Sequence, residues 1–485
     1  MAVQAAPALL RWNSPSSTPK RLMIETRPPH SWTFPPRTSP LSSAIPCFHI
    51  AGLGAGHEMG SPHRFGALVI IAMPLRILIL SHHFPPEVSA GANRFYEMAK
   101  VWIQAGHSVT VVACAPNHPT GKAYPGYENS LWKRETVDGI EVIRVWTFLS
   151  PNTGIVRRAL SFSSYLVSAT IGSLFIPKPD LVISTVPHIF CGLAGFAVSS
   201  LRRTSWIFDV RDLWPESIVS VGAMNRGRII RFLEAIERFC YHNATHIVSA
   251  SGAYLPHFLS MGIASEKISV ITNGVDLKLF HTSLDPAAFL KSHDLEGKFV
   301  VSYVGTHGLA HNLDVILEAA DRLRSRNDIA FLLVGDGAQR DRLMERRRAM
   351  GLANVLMLPQ LSRDQIPAVL TASGASVVTL RPTPLFELVI PSKMFEAMAL
   401  GRPIILGVRG EAKRIIEEGQ CGVTFSPGSA DELARQVEML AGDPALCRRL
   451  GENGRRFVAA KYDRDKLAAE YLTILTQVAG AQMHK

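Results

Sequence analysis

The amino-acid sequence predicts an α/β protein made of two Rossmann-like, parallel-sheet domains that face a cleft. Short and almost continuously apolar segments alternate with helical patterns from residue 74 onward. The alternation occurs twice, before and after a junction at 273–292. A chain of 485 residues also exceeds what one hydrophobic core usually supports. Apolar strands separated by helices are typical of parallel sheets covered on both faces, and two such sets indicate two domains.

Each half supplies strands whose carboxyl ends are candidate sites. In the first half we predict strands at 76–81, 108–113, 141–146, 181–186, 205–210, 246–249 and 267–271, with helices at 92–104 and 228–241. In the second half we predict strands at 299–304, 330–334, 355–358, 376–380, 403–407 and 422–425, each followed by a helix. Ligands of open parallel sheets bind beyond the carboxyl ends of the strands, so the residues that follow each strand are the first candidates for function.

The segments outside these two sets differ in composition. Residues 1–72 contain ten prolines and six Lys or Arg against two acidic residues, and they show no sustained period. This composition predicts a disordered N-terminal extension. We expect the first domain at 73–275, the second at 276–460, and a C-terminal helix at 461–485 that packs back across the cleft.

Cysteine spacing and charge narrow the class of protein. The six cysteines form no C-x-x-C pair and have no histidine at metal-binding spacing, which argues against a disulfide framework and a zinc site and fits a reducing cytosol. The net charge of +11 includes no run of Lys and Arg interleaved with aromatic residues. We therefore expect no nucleic-acid partner, and we attribute the positive charge to an anionic substrate or a membrane surface.

The most informative segment, 391–405, places a cation and a carboxylate at the start of a short helix that ends at Gly401 before an apolar strand. The N–H groups and dipole at a helix N-terminus favour phosphate, and a carboxylate one turn later can accept hydrogen bonds from a ribose diol. Lys393 and Glu396 thus form either a clamp for a nucleotide diphosphate or a solvated i,i+3 ion pair.

This segment and several strand ends resemble glycosyltransferase family 4. The resemblance rests on 75–87, 90–92, 106–112, 271–276, 304–305, 334–337 and 391–405, in that order. Segments 116–127 and 209–217 are similar to the branch that builds bacterial O-antigen, capsule and colanic-acid repeat units. The resemblance implies a GT-B fold, an acceptor on the first domain, a UDP- or GDP-sugar donor on the second, no metal or other cofactor, and retention of the anomeric configuration.

For the transfer reaction that the resemblance implies, we predict a set of donor-binding residues, with Lys393 and backbone N–H groups stabilising the departing diphosphate. The set is Gly91, Thr306, His307, Gly308, Gly335, Ser392, Lys393 and Glu396. The alternative for Gly91 is that it only forms a tight turn, and the alternative for His307 is a capping or loop role. The chain departs from the family at Leu388, where a glutamate that touches the donor sugar is common; Glu387 lies one residue earlier. It also has Thr306 and His311 in the loop where many members carry Arg and Lys.

On the acceptor side, polar residues follow the strand at 205–210. Asp212 or Glu216 is expected to orient the attacking hydroxyl, and Arg211 to meet an acceptor phosphate. The alternative for these residues, and for Asp209 beside them, is a structural network of salt bridges. His118 and His188 are expected either to contact the acceptor or to form only a wall of its pocket.

The charge-free stretch 159–176 follows Arg157 and Arg158 and contains five serines. It is a poor membrane span but suits an amphipathic helix on the inner leaflet, with a helix buried in the first domain as the alternative. The leading hypothesis is a cytoplasmic, peripherally membrane-bound transferase that extends an undecaprenyl-diphosphate-linked saccharide. A nucleotide-sugar epimerase of the same fold and an inactive scaffold of an assembly complex are the alternatives.

Overall fold

The computed structural model describes residues 73–483 except 88–89, 118–119, 151–154, 187, 223 and 282–284. The predictions for the N-terminal extension and for His118 lie outside these residues. None of the helices in the described part of the chain combines the length and the hydropathy that a membrane span requires.

The strands are Arg76–Leu80 (β1), Ser108–Cys114 (β2), Trp132–Val137 (β3), Ile140–Val145 (β4), Leu181–Thr185 (β5), Ser205–Val210 (β6), His246–Ser249 (β7), Ile268–Val270 (β8), Phe299–Val304 (β9), Ile329–Val334 (β10), Val355–Leu358 (β11), Ala375–Thr379 (β12), Ile404–Gly407 (β13) and Gly422–Thr424 (β14). The helices are Ala90–Gln104 (α1), Ile155–Gly172 (α2), Phe190–Arg202 (α3), Glu216–Ser220 (α4), Arg228–Asn243 (α5), Leu255–Ser260 (α6), Ala287–Ser292 (α7), Asp314–Arg322 (α8), Arg340–Ala349 (α9), Ile366–Thr371 (α10), Lys393–Ala399 (α11), Glu411–Gly419 (α12), Ala430–Gly442 (α13), Pro444–Lys461 (α14) and Arg464–Met483 (α15).

The first sheet has the strand order β3-β4-β2-β1-β5-β6-β7-β8. Leu78 and Leu80 of β1 enter one hydrophobic core and Ile77 and Ile79 enter another, so the sheet is buried on both faces as predicted. Beyond β1 the order changes direction, because β2 lies on one side of it and β5 on the other. Such a switch point is where this class of sheet binds ligands.

Strand β3 is absent from the predictions, and it is the antiparallel member of the first sheet. Its residues alternate between exposed and half-buried, because one of its faces meets solvent at the sheet edge. A strand with this alternation contains no apolar run, so it was not among the predicted strands. The turn Asp138-Gly139, in which both residues have positive φ, is the hairpin signal that identifies it.

The second sheet has the order β11-β10-β9-β12-β13-β14 and is parallel throughout. Its switch point lies between β9 and β12. Two cores again cover its two faces. The predicted α/β class with two parallel-sheet domains is confirmed.

The chain passes between the two sheets twice, and the two passages are hydrogen-bonded to each other. The N–H of Val275 donates to the carbonyl of Tyr462 over 2.9 Å, and the N–H of Arg464 donates to the carbonyl of Val275 over 3.0 Å. Helix α14 packs against α11, which belongs to the domain of the second sheet. Helix α15 packs against α1 of the first, where Trp102 Nε1 donates to the carbonyl of Ala468 over 2.8 Å.

Candidate active site

The loops after β9 and β10 interlock at the switch point of the second sheet. The N–H of Gly305 donates to the carbonyl of Val334, and the N–H of His307 donates to that of Asp336. Gly335 has a φ of +146°, and a Cβ there would collide with the carbonyl of Gly305. Because only glycine fits this close approach, the loops form one rigid floor.

Lys393, the first residue of α11, lies over this floor. Its Nζ donates to the hydroxyl of Tyr303 over 2.6 Å and lies 4.0 Å from the centre of that ring. A Cβ on Gly305 would come within 2.8 Å of Nζ, so the glycine makes room for the amine. Burial lowers the pKa of Lys393 from 10.5 to about 7, although Glu396 acts in the opposite direction.

Two histidines lie beside the lysine, and both are neutral near pH 7. Burial, with the charges of Lys393 and Arg340, lowers the pKa of His307 to about 4. Burial and Lys393 lower the pKa of His311 well below its usual value. Neither ring nitrogen of His307, nor Nδ1 of His311, has a hydrogen-bond partner among the described residues. Buried polar groups are normally paired, so these nitrogens indicate a place for a polar ligand.

The remaining donor-side residues surround this group. Thr306 accepts a hydrogen bond at its carbonyl from the hydroxyl of Tyr303 over 2.8 Å, and Gly308 precedes a short 3-10 turn. Ser392 precedes α11 without capping it through its side chain. Glu396 lies one turn further along α11, with Oε1 3.6 Å from Nη1 of Arg363. Gly91 is the second residue of α1 in the first domain.

The segment around Leu388 joins the two domains. Leu388 packs against a core of the first domain, and its carbonyl accepts a hydrogen bond from Oγ of Ser251 over 2.7 Å. Glu387 lies against Gly410, at the end of a turn that contacts α4. An apolar side chain at 388 thus serves the contact between the domains.

The switch point of the first sheet carries a group of histidines that the sequence predictions largely missed. His82 and His83 follow β1, and His188 follows β5 on the other side of the switch point. The rings of His82 and His188 lie 4.8 Å apart, and His188 stacks on Phe162 of α2 at 3.9 Å. Burial, with the charges of His83 and Arg158, lowers the pKa of His188 well below its usual value.

A hydrogen-bonded pair lies next to these rings. Nδ1 of His83 and Oε2 of Glu87 are 2.8 Å apart, and Glu87 Oε1 accepts a hydrogen bond from the N–H of Asn117 over 2.7 Å. Glu87 is almost fully buried. The position of His83, three residues after the end of the apolar strand β1, is the signal that would have included it among the candidates.

The polar residues near β6 have different surroundings. Asp209 lies inside the strand, fully buried, where it accepts hydrogen bonds from Arg94, Thr185 and Tyr471 over 3.2, 3.1 and 3.4 Å. These contacts point towards α1 and α15, so Asp209 belongs to a structural network.

The two carboxylates that follow β6 differ from each other. Burial raises the pKa of Asp212, and the charge of Arg211 opposes this shift. Burial lowers the pKa of Arg211, and its Nε has no hydrogen-bond partner among the described residues. Glu216 forms a 2.6 Å ion pair with the exposed Arg226. Asp212 is therefore the more available of the two carboxylates.

Helix α2 has different surroundings on its two faces. On one side Phe162 touches His188, as described above. The other side borders an open apolar groove of about 1030 Å³ between α2 and the β3–β4 hairpin. Its lining is Leu131, Trp132, Arg134, Trp146, Phe148, Leu160, Ser163, Ser164, Val167, Ser168, Ile171, Gly172 and Phe175. The helix occupies 155–172 rather than the predicted stretch 159–176, and Val167 and Phe175 are 57% and 74% exposed.

Among the described residues, no group of three or more His, Cys, Asp or Glu side chains is placed to hold a metal ion.

Comparisons with known proteins agree with this arrangement. The glycosyl transferase 4-like domain model matches residues 89–274, and the model of glycosyl transferases group 1 matches residues 287–457. The chain is 26% identical over 371 residues to the putative colanic acid biosynthesis glycosyl transferase WcaI of Escherichia coli K12, covering 73% of this chain and 88% of that one.

Solved structures share the fold. Sucrose-phosphate synthase of Thermosynechococcus elongatus superposes with a TM-score of 0.67 at 19% identity, over 84% of this chain and 100% of that one. HepE of Anabaena in complex with UDP-glucose gives 0.62 at 18% identity, over 83% and 100%. The chain is therefore a glycosyltransferase with the GT-B fold, composed of a glycosyl transferase 4-like domain and a group 1 domain.

Proposed function

We propose that this enzyme transfers a sugar from UDP or GDP to a lipid-linked saccharide in the synthesis of a bacterial cell-surface polysaccharide, with retention of the anomeric configuration and without a metal. The observation that carries the proposal is the site around Lys393, where a buried amine lies over a rigid floor of glycines beside imidazole nitrogens that have no hydrogen-bond partner among the described residues. The similarity to WcaI supports the polysaccharide assignment, and HepE, which was solved with UDP-glucose, supports the nucleotide.

In this proposal the donor diphosphate lies over the loops after β9 and β10. The bond between the anomeric carbon and the diphosphate oxygen breaks, and the negative charge that develops on that oxygen is met by Lys393. The N–H groups near Thr306, Gly308 and Ser392, together with His307 and Gly335, hold the phosphates. Gly91 brings backbone N–H groups from the first domain, and Glu396 accepts hydrogen bonds from the ribose diol.

The acceptor lies at the switch point of the first sheet. Asp212 orients the attacking hydroxyl, because the other candidate carboxylate, Glu216, is held in an ion pair by Arg226. Arg211 meets the acceptor phosphate. The new bond joins that hydroxyl oxygen to the anomeric carbon, and in a retaining reaction the proton passes to the departing phosphate. His188 forms a neutral wall of this pocket, and the acceptor role of His118 remains a prediction from the sequence.

The groove beside α2 is the proposed contact with the inner leaflet of the cell membrane. Its exposed apolar side chains suit acyl or prenyl chains, and Arg157 at the start of α2 suits an anionic head group, whereas Arg158 lies over the ring of Phe162 on the opposite face. Because the opposite face of α2 touches His188, a lipid held in the groove would carry its saccharide towards the acceptor pocket.

Mass spectrometry of a polyprenyl-diphosphate-linked sugar tests the activity. The full chain is incubated with this acceptor, a mixture of UDP- and GDP-sugars, and EDTA. A gain of one sugar is expected, and NMR of the product is expected to show the donor's anomeric configuration. An altered nucleotide sugar with an unchanged acceptor would indicate an epimerase instead, and activity that disappears with EDTA would contradict metal independence.

Vesicle flotation tests the membrane contact separately. Wild-type protein is expected to float with vesicles that contain phosphatidylglycerol, and Val167→Glu with Phe175→Glu is expected to stay in solution. Leu201→Glu is the matched control, because Leu201 is 62% exposed on α3, outside the groove. Equal flotation of all three proteins would refute the role of the groove without affecting the transferase proposal.

A further inference from the structure

Four charged side chains connect the two domains next to the nucleotide site. Arg363, on a short 3-10 turn before α10, donates from Nη2 to Oε1 of Glu97. Its Nη1 lies 3.6 Å from Oε1 of Glu396. Arg464 approaches the other oxygen of Glu97, with Nη1 2.5 Å from Oε2. We call Glu97, Arg363, Glu396 and Arg464 the domain latch.

The four residues of the domain latch come from both domains. Glu97 lies on α1, whose second residue is Gly91, whereas Arg363 and Glu396 belong to the second domain. Arg464 begins α15, at the point where the chain returns to the first domain. Arg363 thus links Glu396 to the first domain, because its guanidinium bridges two carboxylates on helices of different domains.

The protonation state of Glu396 depends on the charge of Arg363. Burial raises the pKa of Glu396, and Arg363 is the largest influence that lowers it. Glu97 raises this pKa, while Arg464 and Lys393 lower it more weakly. A protonated carboxyl accepts hydrogen bonds less well than a carboxylate. Removal of Arg363 would therefore leave Glu396 exposed to the repulsion of Glu97 with less compensation.

We propose that Arg363 is a positioning residue that orients Glu396 for the ribose diol and ties this carboxylate to α1, so that nucleotide affinity depends on the contact between the domains. The inference rests on the proposed function, because it takes Glu396 as the ribose ligand. Bridging by Arg363 gives nucleotide binding and domain closure a shared group. A ribose that engages Glu396 would then favour the arrangement in which Gly91 faces the phosphates.

The test is the dissociation constant of UDP and of GDP, measured by calorimetry between pH 5.5 and 8. Arg363→Gln is expected to weaken binding about tenfold at pH 7, and the ratio to wild type is expected to grow as the pH falls, because Glu396 becomes protonated at a higher pH. The ratio removes the titration of the nucleotide and of Lys393. Arg363→Lys, which keeps the charge, is expected to recover most of the affinity at low pH.

Two further variants separate the latch from general stability. Arg363→Gln leaves Glu97 paired with Arg464, so the fold is expected to persist. Arg322→Gln is the matched control, since it breaks an ion pair with Asp431 on the surface of the same domain. In a double-mutant cycle, Glu97→Gln and Arg363→Gln are expected to be non-additive in nucleotide affinity.

The outcomes are distinct. A ratio near one at every pH, or a loss that does not vary with pH and matches Arg322→Gln, would overturn the latch while leaving the proposed function intact. Failure of the unsubstituted chain to bind either nucleotide would overturn the proposed function and the latch together.

Discussion

Lys393 is expected to make nucleotide binding depend on pH within the physiological range. A lysine is charged below its pKa and neutral above it. The buried amine has a pKa of about 7, whereas the negative charges of a bound diphosphate would restore it towards its ordinary value of 10.5. Between these values, the nucleotide binds only together with a proton. Affinity for UDP should therefore fall as the pH rises above 7.

The magnitude follows from the protonated fraction of Lys393. At a pKa of about 7, this fraction is roughly one half at pH 7 and about 3% at pH 8.5, so the dissociation constant of UDP should rise roughly 15-fold, or about 1.6 kcal/mol. His307 and His311 do not contribute, because both are already neutral in this range. An ordinary exposed lysine would give a flat curve over the same interval.

Calorimetry in buffers of different ionisation enthalpy measures both quantities at once. The difference in proton uptake between wild type and Lys393→Met, which removes the titration of the terminal phosphate of UDP, should increase from about one half at pH 7 to nearly one at pH 8.5. Lys393→Met should bind UDP weakly at every pH and take up no proton at this site. A flat affinity curve for wild type, or the same proton uptake in Lys393→Met, would refute the assignment of a depressed pKa to this amine.

Three other predictions follow from individual contacts. Asp212→Asn should lower transfer by about 10² or more with donor affinity unchanged, whereas Glu216→Gln should change turnover less than about threefold, as measured by steady-state kinetics. Gly305→Ala should raise the KM for the donor, because the residue has a φ of +143° and its Cβ would come within 2.8 Å of Lys393 Nζ; a KM equal to that of wild type would contradict this. Arg94→Ala should lower the free energy of unfolding by about 3 to 5 kcal/mol in urea titrations, because the buried Asp209 would lose its ion-pair partner, whereas a loss below about 1 kcal/mol would place the pair with ordinary surface salt bridges.

The sequence predicts most of this fold because its parallel strands are apolar on both faces. Such strands stand out from the helices around them, and the direction of the chain fixes their carboxyl ends on one side of the sheet. Strand β3 was not predicted, because it is polar on one face and lies at an edge of the sheet. Helix α2 begins earlier than expected, since Arg157 and Arg158 lie inside its first turn and the absence of charge is not what starts a helix.

The site was predictable only where one segment carries several of its groups. Lys393 and Glu396 lie three residues apart on α11, so their proximity could be inferred from helical spacing, but the partners that they contact, Tyr303 and Arg363, could not. Tyr303 and Arg363 come to the same region from distant segments. Tyr303 contacts Lys393 across a sequence separation of 90 residues, and Arg363 contacts Glu97 across 266 residues. Local patterns contain no information on such contacts, which depend on how the sheets and the two domains pack.

The loop after β9 lacks a permanently charged cation. Residues 305–313 contain no Lys or Arg, and the histidines at 307 and 311 are held neutral by burial and by Lys393. An arginine stays charged at any pH that a protein meets, so a loop with Arg and Lys would give a diphosphate site that is insensitive to pH. Here much of the positive charge depends on one amine whose pKa is near 7. Donor binding in this enzyme should therefore be tied to proton uptake at Lys393 on one side and, through Arg363, to contact with the first domain on the other.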